Sequence, residues 1–364
     1  MKHLVVGAGL AALCAGNAIA GGVDRSGQPI AALFERGNYV EFSFSSVHPT
    51  VSGNAASPGF GTYSGDMANS YGTVGSAFKF ALNDKFDVAL IYDQPYGASI
   101  AYPTHATYFA AGATAELRSL AITAIGRYKF TDNISAYGGL RYQSFNAEAF
   151  VPFVAGYTGS TTTDRSPGFL LGAAYEKPEI ALRVALTYFS KVTHDMTATE
   201  TLGVTTMTPL TVETPQAVNL DFQTGVAPGT LVFGGVRWVN WSNFDISPAA
   251  YMGATGQALV SYDDDTFTYT LGVGRQLNEN WAIAGTLVHE PATGGFRSNL
   301  NPPDGRSAIG VGVTYTQKGF KLQAGLQHIW LGDATTGVGS PPVPAGVFTD
   351  NTAIAFGMKM GFNF

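Results

Sequence analysis

The chain ends Ile354-Ala355-Phe356-Gly357-Met358-Lys359-Met360-Gly361-Phe362-Asn363-Phe364. Every second residue is large and apolar, and between them stand Ala, Gly, Lys, Gly and Asn. A period of two is the signature of a β-strand whose side chains alternate between two faces. A soluble sandwich strand also alternates. Glycine and lysine behind so uniform an apolar face suit better a strand with lipid on one side and an aqueous lumen on the other.

The pattern recurs upstream. Ile309, Val311, Val313 and Tyr315 alternate with Ala308, Gly310, Gly312 and Thr314. Phe320, Leu322, Ala324 and Leu326 alternate with Lys321, Gln323, Gly325 and Gln327. Short turns at Thr131-Asp132-Asn133, Leu277-Asn278-Glu279-Asn280 and Gln317-Lys318-Gly319 join runs of about ten residues, enough for a tilted strand to cross a bilayer. Counting such runs predicts about fourteen strands, an even number as closed bacterial barrels have. The weakest run is 209–223, which Pro215 interrupts. Seven polar or Gly/Pro-rich stretches, 48–70, 99–114, 148–166, 198–208, 242–265, 291–305 and 332–352, are expected as extracellular loops. The expected fold is therefore all-β: a transmembrane antiparallel β-barrel over 38–364, preceded at 21–37 by a short N-terminal plug segment.

Composition agrees. Charged residues are 13% of the 364, about half the share usual in globular proteins, while glycine reaches 45 residues. No stretch approaches the ~18 continuous apolar residues that a membrane helix requires. A net charge of −6 offers no basic patch for nucleic acid. Residues 1–20 read as a cleaved secretion signal: Lys2 and His3, an apolar run from Leu4 to Cys14, and a small-x-small site at Ala18-Ile19-Ala20. A lipoprotein anchored at Cys14 would need a small residue before it, and Leu13 stands there. Cys14 is the one cysteine, so the mature chain is expected to carry neither disulfide nor thiolate metal site. These features place the protein in a Gram-negative outer membrane. Its expected partners are membrane lipid, lipopolysaccharide and, through the strand ending at Phe364, the barrel-assembly machinery. It is expected to act as a monomer.

Four stretches resemble the FadL/TodX (OMPP1) group of outer-membrane transporters for long-chain fatty acids and hydrocarbons. They are Asp24 to Gly37, Tyr92-Asp93-Gln94-Pro95-Tyr96-Gly97-Ala98, Asn240-Trp241-Ser242-Asn243-Phe244, and His289-Glu290-Pro291 with Arg297-Ser298 and Pro302-Pro303-Asp304-Gly305-Arg306. The resemblance implies a fourteen-stranded barrel with a luminal plug, a kinked third strand that opens a gap in the wall, and passive uptake of a hydrophobic small molecule released sideways into lipid. Here the plug is about half the family's length, and the loops of the external binding groove diverge, so no groove residue carries over.

Pro95 sits inside an otherwise regular strand, where it donates no hydrogen bond and breaks the ladder. An unpaired backbone group is costly in lipid, so the break asks for a reason. Gln94, Pro95, Tyr96 and Gly97 are the candidate gate; the alternative is that Pro95 simply ends the strand. Arg25, Gln28, Pro29, Leu33, Phe34 and Arg36 are the candidate plug residues, against the alternative of a flexible periplasmic tail. Arg297 and Arg306 are candidate receivers for a ligand carboxylate, or else rim charges. Asp263-Asp264-Asp265 lacks calcium-loop spacing and is expected to be a solvated acidic turn. No metal or other cofactor is expected. The histidines form no zinc spacing and have no evident serine partner, so no enzyme is expected. Trp238, Trp241, Trp281 and Trp330 are assigned to interfacial girdles. The rival to transport of a hydrophobic compound is a polar-solute porin, and after it an adhesive barrel.

Overall fold

A computed structural model describes residues 22–364. The expected signal, Cys14 and the cleavage point before Gly21 lie outside the described residues. Fourteen antiparallel strands form a closed barrel. They are β1 (Tyr39–Thr50), β2 (Tyr71–Ala81), β3 (Phe86–Asp93, continued by Gly97–Ala101), β4 (Thr114–Lys129), β5 (Ile134–Val151), β6 (Tyr157–Thr161, continued by Asp164–Lys177), β7 (Leu182–Phe189, continued by Val192–Leu202), β8 (Val204–Thr214, continued by Ala217–Ala227), β9 (Thr230–Val239), β10 (Thr266–Gln276), β11 (Trp281–Glu290), β12 (Arg306–Gln317), β13 (Phe320–Leu331) and β14 (Thr352–Asn363). The seam closes between first and last strands, in register from Tyr39 opposite Asn363 to Thr50 opposite Thr352. Because the first strand pairs with the last, the sheet has no free edge strand.

The alternation in β14 has the expected sense. Ile354, Phe356 and Phe362 face outward and are 50%, 41% and 39% exposed, while Ala355, Gly357, Lys359 and Gly361 are buried inward. Small inward residues make room for large neighbours: a Cβ on Gly361 would meet the ring of Tyr39 across the seam.

Two expected loops are corrected. Residues 198–208 are a tight hairpin in which only Gly203, at φ +75°, separates β7 from β8. In 148–166, β5 runs on to Val151 and β6 begins at Tyr157. Burial still alternates in the hairpin, with Val192, His194, Met196, Ala198 and Glu200 turned inward, but the outward residues are Thr193, Asp195, Thr197 and Thr199, so the apolar outer face by which the strands are counted is missing.

β7 and β8 break opposite each other, at 190–191 and 215–216, the latter at Pro215, while β6 breaks at 162–163, opposite 196–197 of β7. Side chains fasten the stretch between these levels. His194 of β7, fully buried, meets Asp164 of β6 at 2.8 Å through Nδ1 and the Gln143 amide of β5 at 3.2 Å through Nε2.

At the outer end, loops weave a four-stranded sheet from Gly53–Ala55, Phe296–Arg297, Ala334–Val338 and Val343–Phe348. A seven-residue helix, α1 (Ala249–Thr255), lies nearby, its first amides held by the buried Glu200 carboxylate.

Candidate functional site

The third strand departs from regularity at the expected place. β3 pairs with β4 at Asp93 opposite Ala121 and again at Gly97 opposite Arg118. Three residues, 94–96, therefore stand against two, 119–120, which is a bulge. The Ser119 hydroxyl fills the interrupted ladder: it accepts the Tyr96 amide at 2.8 Å and donates to the Tyr96 carbonyl at 2.9 Å. On the other edge the β2–β3 ladder stops at Ser76 opposite Tyr92. Beyond it the Gln94 side chain takes the Val74 amide at 3.2 Å, and backbone pairing resumes only where the Asn69 amide reaches the Ser99 carbonyl at 3.1 Å. Between these points lies a recess of about 100 Å³ bordered by Phe44, Thr73, Val74, Tyr92 and Gln94.

The N-terminal segment docks on the luminal side of this break. The Arg25 amide donates to the Pro95 carbonyl at 2.8 Å, and the Gly97 amide donates to the Val23 carbonyl at 2.8 Å. Asp24 and Tyr96 form a bridge. The plug thus acts as a short surrogate strand on the backbone that the bulge disturbs. Side chains extend the hold. Ser26 Oγ donates to Asp93 at 2.6 Å, and Arg237 Nε to Asp24 at 2.7 Å. Arg237 also reaches Asn219 at 2.7 Å and Gln28 at 3.3 Å. Pro29 borders the open lumen, while Ile30 and Leu33 are buried. Phe34 lies between the guanidinium groups of Arg127 and Arg183, at 4.7 and 4.6 Å from its ring centre. Glu35 meets Lys321 at 2.7 Å; burial pushes its carboxyl up, but Lys321, Lys359 and Arg183 outweigh that and hold it below the ordinary range. Arg36 is exposed, and its carbonyl accepts from the Asn363 side-chain Nδ2 at 2.8 Å.

Arg25 differs from its neighbours. Among the described residues no carboxylate lies within ion-pair distance of it. Its guanidinium lies over the ring of Tyr71, 4.0 Å from the centre, and its Nε is buried without a hydrogen-bond partner. It occupies the space a side chain at position 97 would take: a Cβ on Gly97 would sit 2.5 Å from Arg25 Nε. Burial lowers the guanidinium's hold on its proton.

Cavities line up above the plug. An outer groove of about 1040 Å³ is walled by Phe60, Phe109, Phe153 and Tyr251, with Phe109 to Phe153 ring centres 4.8 Å apart. Leu259 and Leu300 form its inner wall and also border a smaller apolar recess of about 50 Å³ beside Val23, Ala98, Leu117 and Ala147. Among the described residues, no Lys, Arg or His lines that recess. A narrow neck at Val23, Tyr71, Gly97 and Ala98 lies next to it. The opposite end of the lumen is charged. Asp87 meets Lys79 and Lys129, each at 2.9 Å; Arg127 pairs with Glu176; and Lys359 lies 3.6 Å from Glu41.

The structure places the other candidates as follows. Gln94, Pro95, Tyr96 and Gly97 lie together at the bulge. Arg297 is buried 3.4 Å from Asp304, and Arg306 is buried 3.5 Å from Glu290, so a ligand carboxylate would have to displace an internal one. Asp265 is no bare solvated acid: it accepts from Trp238, Asn240 and Ser242. Among the described residues no cluster with three or more metal-binding side chains occurs. Trp281 and Trp330 face outward at 44% and 49% exposure, but Trp241 is 1% exposed. It is packed against Tyr96, Phe244 and Tyr262, so its girdle assignment is wrong. Sequence reasoning also missed Asn219, Arg237 and Lys321, the wall partners of the plug. Their one signal is a polar residue at an inward position, which many lumen residues share.

A family model for outer membrane protein transport proteins (OMPP1/FadL/TodX) matches residues 11–364. Among solved structures, a Pseudomonas aeruginosa FadL homologue superposes with a TM-score of 0.76 at 13% identity, covering 92% of each chain. The Pseudomonas putida toluene transporter TodX gives 0.63 at 11% identity, over 95% of this chain and 96% of its own. The Ralstonia pickettii toluene transporter TbuX gives 0.61 at 14% identity, over 97% of each. No curated protein sequence matches the chain.

Proposed function

Since the chain belongs to the OMPP1/FadL/TodX family of outer-membrane transport proteins, we propose that it carries an uncharged hydrophobic small molecule inward by passive diffusion and releases it sideways between β2 and β3. The observation that carries this reading is the bulge at Pro95, with unpaired wall on one side of it and docked plug on the other. Two further features support it. Among the described residues the apolar recess is bordered by Glu116 and Glu148 and by no cationic group that would receive a carboxylate, which favours a hydrocarbon over a fatty acid. The lumen below the plug is crossed by ion pairs, and an apolar molecule passing there would displace hydrated or paired charges, whereas release into lipid avoids water altogether.

The test is uptake of radiolabelled toluene and of a long-chain fatty acid by cells lacking the protein, complemented with wild type or Pro95→Val at equal barrel abundance. Valine restores a backbone donor and frees the φ that the proline ring fixes at this position. Protein-dependent uptake of toluene that falls in Pro95→Val supports the reading. Leakage of small sugars without hydrocarbon uptake would replace it with the polar-solute porin.

A further inference from the structure

We infer that Arg25 is the movable door between the apolar recess and the wall gap, and that its stacking on Tyr71 makes the door selective for aromatic over saturated hydrocarbons. This inference rests on the lateral reading above.

The position follows from the cavities. The neck beside the recess is bordered by Tyr71 and Gly97, and the wall recess beyond it by Arg25, Thr73 and Gln94. The guanidinium lying on Tyr71 occupies the space between them. Its mobility follows from its partners. Asp24 and Glu35, the neighbouring plug charges, are fixed by Arg237 and Lys321 at 2.7 Å each. Arg25 has a π face in place of a carboxylate, and a buried Nε with nothing to bond. Its backbone is pinned, since its amide holds the Pro95 carbonyl. The side chain can therefore swing while the plug stays docked. Gly97 keeps the swing clear, because any Cβ there would collide with Arg25 Nε.

The selectivity follows from the contact. A molecule passing the neck must separate guanidinium from ring. An aromatic molecule offers its own π face to the displaced cation and restores the interaction as it passes; a saturated one of the same size does not. A cation–π contact corresponds to a preference of about two- to thirty-fold, rising with desolvation.

The experiment measures initial uptake of radiolabelled toluene and methylcyclohexane into proteoliposomes holding the full mature chain. The proteins compared are wild type, Arg25→Met, Gly97→Ala, and a double variant, Val74→Cys with Gln94→Cys, bridged across the gap by a short bis-thiosulfonate reagent. Arg25→Met keeps the bulk and removes the charge; Gly97→Ala keeps the charge and displaces it. Hydrogen exchange at the residue-97 amide confirms in each case that the plug is docked. The inference expects wild type to favour toluene by several-fold, Arg25→Met and Gly97→Ala to carry methylcyclohexane faster and lose the preference, and the bridged protein to stop both. If bridging stops uptake but both single variants keep the wild-type rates and ratio, Arg25 is not the door. If bridging changes nothing, the lateral reading itself falls. Should Arg25→Met fail to fold, Gly97→Ala alone decides the matter.

Discussion

Replacing Asp24 with asparagine should loosen the plug without opening the barrel. The substitution keeps shape and removes one charge from a pair whose side chains are only 12% and 11% exposed. Removing one partner of a buried ion pair costs about 3–5 kcal/mol, because the other charge is left uncompensated. Arg237 keeps Asn219 at 2.7 Å and Gln28 at 3.3 Å, so the low end, ~3 kcal/mol, applies. At ~1.4 kcal/mol per decade the docked-to-undocked ratio falls roughly 100-fold. Amide exchange reads this directly. The Arg25 and Gly97 amides bond across the interface between plug and wall, so each exchanges only when the plug lifts. Both should exchange ~100-fold faster in the variant, with amides of β13 and β14 unchanged. Wild-type protection at Arg25 and Gly97 in a folded Asp24→Asn barrel would refute the claim that this ion pair anchors the plug.

Other consequences follow from the same geometry. Glu35 holds its proton less tightly when docked, so its contribution to docking is full above the ordinary carboxylate pKa and is lost as pH falls through the lower docked value. Exchange at the Leu33 and Glu35 amides, corrected for intrinsic rates, should therefore rise on acidification, and this rise should be blunted in Glu35→Gln. Gly361→Val forces a branched side chain against Tyr39 at the closing seam and should cost about 1–3 kcal/mol of overpacking, seen as a lower temperature for loss of the compact band on semi-native gels. Brominated lipids should quench single-tryptophan variants retaining Trp281 or Trp330, and spare the one retaining Trp241, which is buried inside.

The barrel was legible because lipid enforces a period of two wherever a strand crosses it. β14 shows this residue by residue, down to the inward Lys359. The hairpin at 192–214 was not, since its outward positions are threonines and acids, which carry no apolar stripe to mark a strand, and its buried face mixes Val192 and Met196 with His194 and Glu200. Pro95 marked the third-strand break because proline has no amide to give. The break at 190–191 involves Ser190 and Lys191, whose backbones are ordinary, and left no trace. In the site, the N-terminal segment and the irregular stretch around Pro95 were legible as segments. Their partners were not: Asp24 and Arg237 are 213 positions apart, and only the closed barrel brings them together. Trp241 was misassigned because a tryptophan near a strand end reads alike whether it turns to the interface or inward onto Tyr96.

The plug is continuous with β1 through Asn38, and its last residues are held by Asn363 of β14 and Lys79 of β2, the two neighbours of β1. A lifted plug is therefore never lost: it hangs on a tether of a few residues at an effective concentration of about a millimolar or more. Redocking is intramolecular and independent of how many copies of the protein a cell makes. A segment so tethered needs only weak individual contacts, because whenever it lifts it remains beside its own seat.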